Sequence, residues 1–75
     1  MKIIIAATKT CPKLTSLEHE LQNARLPYKV VYFEEHPEIF EKYHIKNSPS
    51  LIVDGKEVFI EMKEMLDKIN ELAKN

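Results

Sequence analysis

The chain has 75 residues, 44% of them hydrophobic, with one Gly and no Trp, enough for a single compact domain spanning residues 1–75 with one modest core. Its 12 acidic and 11 basic residues give a formal net charge of −1 and are spread along the whole length; lacking a block of Lys and Arg to displace counterions, the chain is not expected to bind nucleic acid. No apolar stretch approaches the about 20 residues that span a bilayer, and Met1-Lys2 leads straight into an apolar run without a cleavable leader pattern, so a cytoplasmic location away from membranes is expected.

Lys2 to Ala7 is a nearly unbroken apolar run with three consecutive β-branched residues, as expected of a central strand covered on both faces. From Pro12 to about Arg25, Leu14, Leu17, Leu21 and Ala24 recur at helical spacing, with Glu18, His19, Glu20, Gln22 and Asn23 on the other side, which predicts an amphipathic helix ended by Leu26-Pro27. Tyr28 to Phe33 is β-branched and aromatic and reads as a second strand. His36-Pro37 opens a short helix whose buried stripe is Ile39, Phe40 and Tyr43.

Leu51-Ile52-Val53, then Asp54-Gly55, then Lys56 to Ile60 predicts a hairpin, because Asp-Gly supplies the two positive-φ residues of a tight I′ turn. The remainder carries Met62, Met65, Leu66, Ile69, Leu72 and Ala73 on one side and Lys and Glu on the other, a closing amphipathic helix. The order is βαβαββα. It predicts an α/β fold with a four-stranded mixed sheet and helices on both faces.

Cys11 is the only cysteine. It stands between the first strand and the first helix, directly before Pro12, which fits the first helical position because its missing N–H is needed there by nothing. Cys11 is thus expected at or next to the helix N-cap, where unpaired backbone N–H groups and the helix dipole favour thiolate over thiol. A lone cysteine forms no internal disulfide, which suits a reducing compartment. Lys9 and Lys13 flank it, and Thr8 and Thr10 are read first as turn residues and second as hydrogen-bond partners of the sulfur. His19, His36 and His44 lack metal-ligand spacing with one another and with Cys11, so no metal is expected. The Glu34, Glu35, Glu38 and Glu41 carboxylates are read as a solvated face.

The element order, with Cys11-Pro12 at the first strand-to-helix turn and Ser48-Pro49 before the third strand, resembles the thioredoxin fold in its compact, glutaredoxin-like form. The likeness covers essentially the whole chain. Thr8-Lys9-Thr10-Cys11-Pro12 and Leu26-Pro27-Tyr28 look glutaredoxin-like, whereas Tyr43 to Leu51 is similar to the segment that brings a cis-proline beside the active cysteine. The resemblance implies that Pro49 is cis and that Ser48 offers its main chain to an extended peptide or to glutathione. Three positions depart from the pattern. Leu14 stands where a resolving cysteine would complete Cys-x-x-Cys; Thr8 stands where many glutaredoxins have a lysine, with Lys9 one residue later; and Ile60 to Glu64 replaces a Gly-Gly turn and acidic pair.

The resemblance therefore implies a monomeric, one-cysteine thiol–disulfide oxidoreductase with no bound cofactor. Cys11 attacks a protein disulfide or glutathione as co-substrate, and Thr10, Pro12, Lys13, Ser48 and Pro49 contact the substrate. The alternative is a non-catalytic thioredoxin-fold module that holds a peptide at the Ser48-Pro49 edge, with Cys11 incidental.

Overall fold

The computed structural model describes residues 2–74. Its elements are β1 (Ile3–Ala7), α1 (Leu14–Asn23), β2 (Lys29–Tyr32), α2 (Pro37–Lys42), β3 (Ser50–Val53), β4 (Glu57–Phe59) and α3 (Met62–Ala73). The strands form one sheet in the order β2-β1-β3-β4. β1 runs parallel to β2 and antiparallel to β3, and β3 is antiparallel to β4. The predicted order and the mixed four-stranded sheet are both present.

Alternation along β1 divides the core. Ile3, Ile5 and Ala7 join Leu14, Leu17 and Leu21 of α1, Met65 and Ile69 of α3, and Leu51 and Val53 of β3 on one side. Ala6 joins Phe40, Ile45 and Ile52 on the other, with Ile4, Ile39, Tyr43 and Val58 packed around them. Since successive strand side chains point to opposite faces, one strand serves both cores. That is why its sequence is apolar throughout instead of alternating. Helices α1 and α3 cover one face and α2 the other.

Several boundaries differ from the sequence reading, each for a local reason. α1 begins at Leu14 instead of Pro12, because Cys11 to Leu14 forms a separate tight turn in which the Leu14 N–H donates to the Cys11 carbonyl at 3.4 Å. Proline suits the second position of such a turn as well as the first position of a helix. Both α1 and α2 then end in Schellman-type closures built without glycine. Arg25 takes φ 58° while Leu26 N–H donates to the Leu21 carbonyl and Arg25 N–H to that of Gln22. His44 takes φ 55°, with Ile45 N–H donating to Phe40 and His44 N–H to Glu41. In each case the following apolar residue turns back into the core, the usual companion of this cap. α2 starts with Pro37 in the first turn and His36 at the N-cap, as read from the sequence.

Asp54 and Gly55 have φ 56° and 69°, and Lys56 N–H donates to the Val53 carbonyl at 3.1 Å, the arrangement expected of the Asp-Gly turn. β4 resumes only at Glu57 and ends at Phe59, so Lys56 lies in the turn and Ile60 is outside the strand and 48% exposed. On the closing helix Met65 and Ile69 are buried, Met62, Leu66 and Leu72 are half-buried, and Ala73 is exposed. No helix among the described residues is long and apolar enough to cross a membrane.

Candidate functional site

The register of the sheet determines which loops meet. β1 pairs with β3 antiparallel, Ala6 opposite Ser50, so the C-terminal end of β1 and the N-terminal end of β3 share one end of the sheet. The chain leaves β1 through Thr8 to Cys11 and enters β3 through Ser48 and Pro49. The two segments that the sequence singles out are therefore brought together by the pairing of two central strands.

The Thr8 to Cys11 segment is a turn in its own right. Cys11 N–H donates to the Thr8 carbonyl at 3.2 Å, and the Cys11 carbonyl accepts from Leu14, so Cys11 belongs to two successive turns. Among the described residues no hydrogen bond is made to its sulfur; Thr8 and Thr10 act as turn residues, the first of the two roles read for them. Cys11 is a free thiol, half-buried, and packs on the same apolar cluster that holds Leu14, Leu17 and Met65. Thr10, Pro12 and Lys13 beside it are exposed. The N-cap of α1 is Lys13, with no side-chain cap, which puts Cys11 one tight turn ahead of the helix proper.

The Ser48–Pro49 peptide bond is cis. Pro49 is buried and Ser48 exposed. Two hydroxyls fix this loop, and neither role was visible in the sequence. Ser48 Oγ accepts the Thr8 N–H at 3.0 Å. Ser50, fully buried, donates its Oγ–H to the Asn47 carbonyl at 2.9 Å. Ser48 thereby connects to Cys11 through a short relay in which its hydroxyl holds the Thr8 amide and the Thr8 carbonyl holds the Cys11 amide. A buried hydroxyl with no partner costs on the order of 1–3 kcal/mol, so Ser50 favours the one loop conformation that satisfies it.

The loop after β2 closes the site from the other side. Lys9 N–H donates to the two carboxylate oxygens of Glu34 at 3.3 and 3.4 Å. The Lys9 ammonium pairs with Glu35 at 3.2 Å, both side chains about half exposed, and lies 6.0 Å from the centre of the Tyr32 ring. Glu34 and Glu35, read as part of a solvated face, thus bond to the turn that carries Cys11. Next to it, Thr8, Phe33, Phe40, Ile45, Lys46, Asn47 and Ser48 line an open cavity of about 220 Å³. Phe33 is 47% exposed and meets Phe40 edge-on, ring centres 5.2 Å apart.

His36 Nδ1 lies 3.2 Å from the Glu38 carboxylate. Glu38 is held below the usual carboxylate range by its backbone N–H in the first turn of α2 and then by the His36 ring. Both are exposed. Among the described residues no group of three or more His, Cys, Asp or Glu side chains is arranged to hold a metal ion.

No family model and no curated protein matches the sequence. Among solved structures, the glutaredoxin-like protein NrdH-redoxin from Escherichia coli superimposes with a TM-score of 0.79 at 20% identity, covering 96% of this chain and 95% of that one. That protein is described as having a thioredoxin-like activity profile. The likeness extends over the whole domain, so this chain has the thioredoxin fold in its glutaredoxin-like form.

Proposed function

We propose that Cys11 is the attacking group of a one-cysteine thiol–disulfide oxidoreductase, which forms mixed disulfides with glutathione or a protein partner. The observation that carries this reading is the half-buried free thiol in a turn tied through Thr8 to the Ser48-Pro49 loop. Cys11 thiolate attacks one sulfur of a substrate disulfide, forming the Cys11–substrate bond and expelling the other sulfur as thiolate. An external thiol then attacks the adduct, forms a new disulfide with the substrate and returns Cys11 as thiolate. Leu14 is buried at the place of a second thiol, so the resolving sulfur comes from outside the chain.

Thr10, Pro12 and Lys13 form the exposed rim around Cys11, and the main chain at Ser48 serves as the edge that pairs with an extended substrate. The starting thiol suits a reducing compartment such as the cytoplasm, and the cycle needs only a monomer. The fold likeness supports the class of chemistry; the choice of substrate rests on the site.

The test is to incubate the reduced protein with glutathione disulfide and with a disulfide-bonded peptide, and to follow the intact mass. Adduct at Cys11 that is released by added thiol is the expected result. Adduct formation no faster than for the urea-denatured chain would sink the redox reading. Peptide binding that survives Cys11→Ser unchanged, without such reactivity, would instead identify a binding module.

A further inference from the structure

From the engagement of Lys9 we infer that Glu34 and Glu35 are specificity-determining residues, which bias the Cys11 thiol against anionic disulfides such as glutathione disulfide and toward disulfides in neutral or basic peptides. This inference rests on the redox reading of Cys11. Lys9 is two residues from the thiol and would by itself attract a substrate carboxylate. Its ammonium and its amide N–H are both already engaged. Its ammonium pairs with Glu35 at 3.2 Å, and its amide is held by Glu34 at 3.3 and 3.4 Å.

Two carboxylates therefore face one ammonium on this side of the turn. Backbone dimensions keep the Glu34 carboxylate within about 12 Å of the Cys11 Cα. That is well inside the screening length of roughly 30 Å at 10 mM salt and far outside the roughly 3 Å at 1 M. An incoming net-anionic disulfide meets repulsion from the β2–α2 side, and a cationic one meets attraction. Lys13 and Lys46 are exposed, Lys46 in the cavity lining that also holds Phe33, and act on the variants and the wild type alike, so ratios between them isolate the two glutamates.

The experiment compares wild type with Glu34→Gln/Glu35→Gln. The rate of adduct formation is measured with three probes, glutathione disulfide (anionic), hydroxyethyl disulfide (neutral) and cystamine (cationic), at about 10 mM and about 1 M salt. At low salt the double variant should react about 3–10-fold faster with glutathione disulfide and slower with cystamine by a similar factor, from Coulomb's law at this distance. The neutral probe should stay within about twofold, and the differences should vanish at high salt. Lys9→Gln, which removes the ammonium and leaves both carboxylates, should move the glutathione disulfide rate in the opposite direction.

A uniform change with all three probes, or none, overturns the inference while leaving the redox reading intact. Failure of the folded wild type to react with the neutral probe faster than the denatured chain overturns both.

Discussion

Replacing Leu14 with Cys tests how the turn at the thiol is built. The Leu14 N–H donates to the Cys11 carbonyl at 3.4 Å, so residues 11 and 14 sit at the ends of a four-residue turn, where the Cα atoms are less than about 7 Å apart. A disulfide needs roughly 4.4–6.8 Å. The directions also agree, because Leu14 belongs to the apolar cluster on which Cys11 packs. Reduced, the variant loses part of a buried leucine that is only 8% exposed. This should cost about 1–3 kcal/mol, below the 2–5 of a full truncation to Ala. Oxidised, closing so short a loop restores about 2 kcal/mol in the chain-entropy treatment, bringing the variant near the wild type. The assay is equilibration with graded dithiothreitol redox ratios, intact mass and thiol counting, then urea unfolding of both forms. An intramolecular disulfide that raises the urea midpoint is expected. Dimers and external adducts in place of an internal bond, or an oxidised form less stable than the reduced one, would refute the turn geometry.

Ser48→Ala removes the acceptor of the Thr8 amide; it should cost no more than about 1 kcal/mol at this exposed position yet slow adduct formation at Cys11 several-fold, with Ser48→Thr recovering the rate. Rates equal to wild type for the Ala variant would show that the relay does not position the thiol. Arg25→Gly relieves a positive φ that costs an L-residue roughly 1–2 kcal/mol, partly offset by glycine's larger unfolded entropy, so thermal unfolding should shift upward by a few degrees; a decrease would mean that the Arg25 side chain contributes more than its backbone costs. Because the Glu38 pKa is depressed by its backbone N–H and then by His36, its contribution is present above the ordinary carboxylate range and fades as pH falls through the folded value. His36→Ala should move the Glu38 titration, followed by NMR, upward while leaving it below the ordinary range. An unchanged midpoint would remove the imidazole from the explanation.

The parts legible in the sequence are those governed by neighbours in the chain. The apolar run at Ile3 to Ala7, the heptad-like leucines of α1, Pro37 at a helix start and the Asp54-Gly55 turn each carry their own local signal. The start of α1 did not, because Pro12 satisfies both a turn and a helix, and only the Leu14 to Cys11 hydrogen bond separates the two. The closures at Arg25 and His44 were hidden for another reason. A chain with one glycine must place side-chain-bearing residues in left-handed conformation, and those residues look ordinary in sequence. Of the site, Cys11 and the Ser48-Pro49 step were recognisable as motifs. The hydroxyl of Ser48 and the carboxylates of Glu34 and Glu35 were not, since the partners of Ser48 and Glu34 lie 40 and 25 residues away, Glu35 pairs with the same distant Lys9, and all depend on strand register.

That register also gives the two walls of the site the same kind of anchorage. β1 and β3 are each bonded to a strand on either side, so their amides should exchange with solvent only when the whole domain unfolds. The turn from Thr8 to Cys11 and the segment from Ile45 to Pro49 belong to no helix or strand and are joined to each other at Ser48. The thiol thus hangs one turn beyond a persistent strand, so that local opening at the Ser48 contact lets the sulfur adjust to a bulky partner while the sheet stays closed.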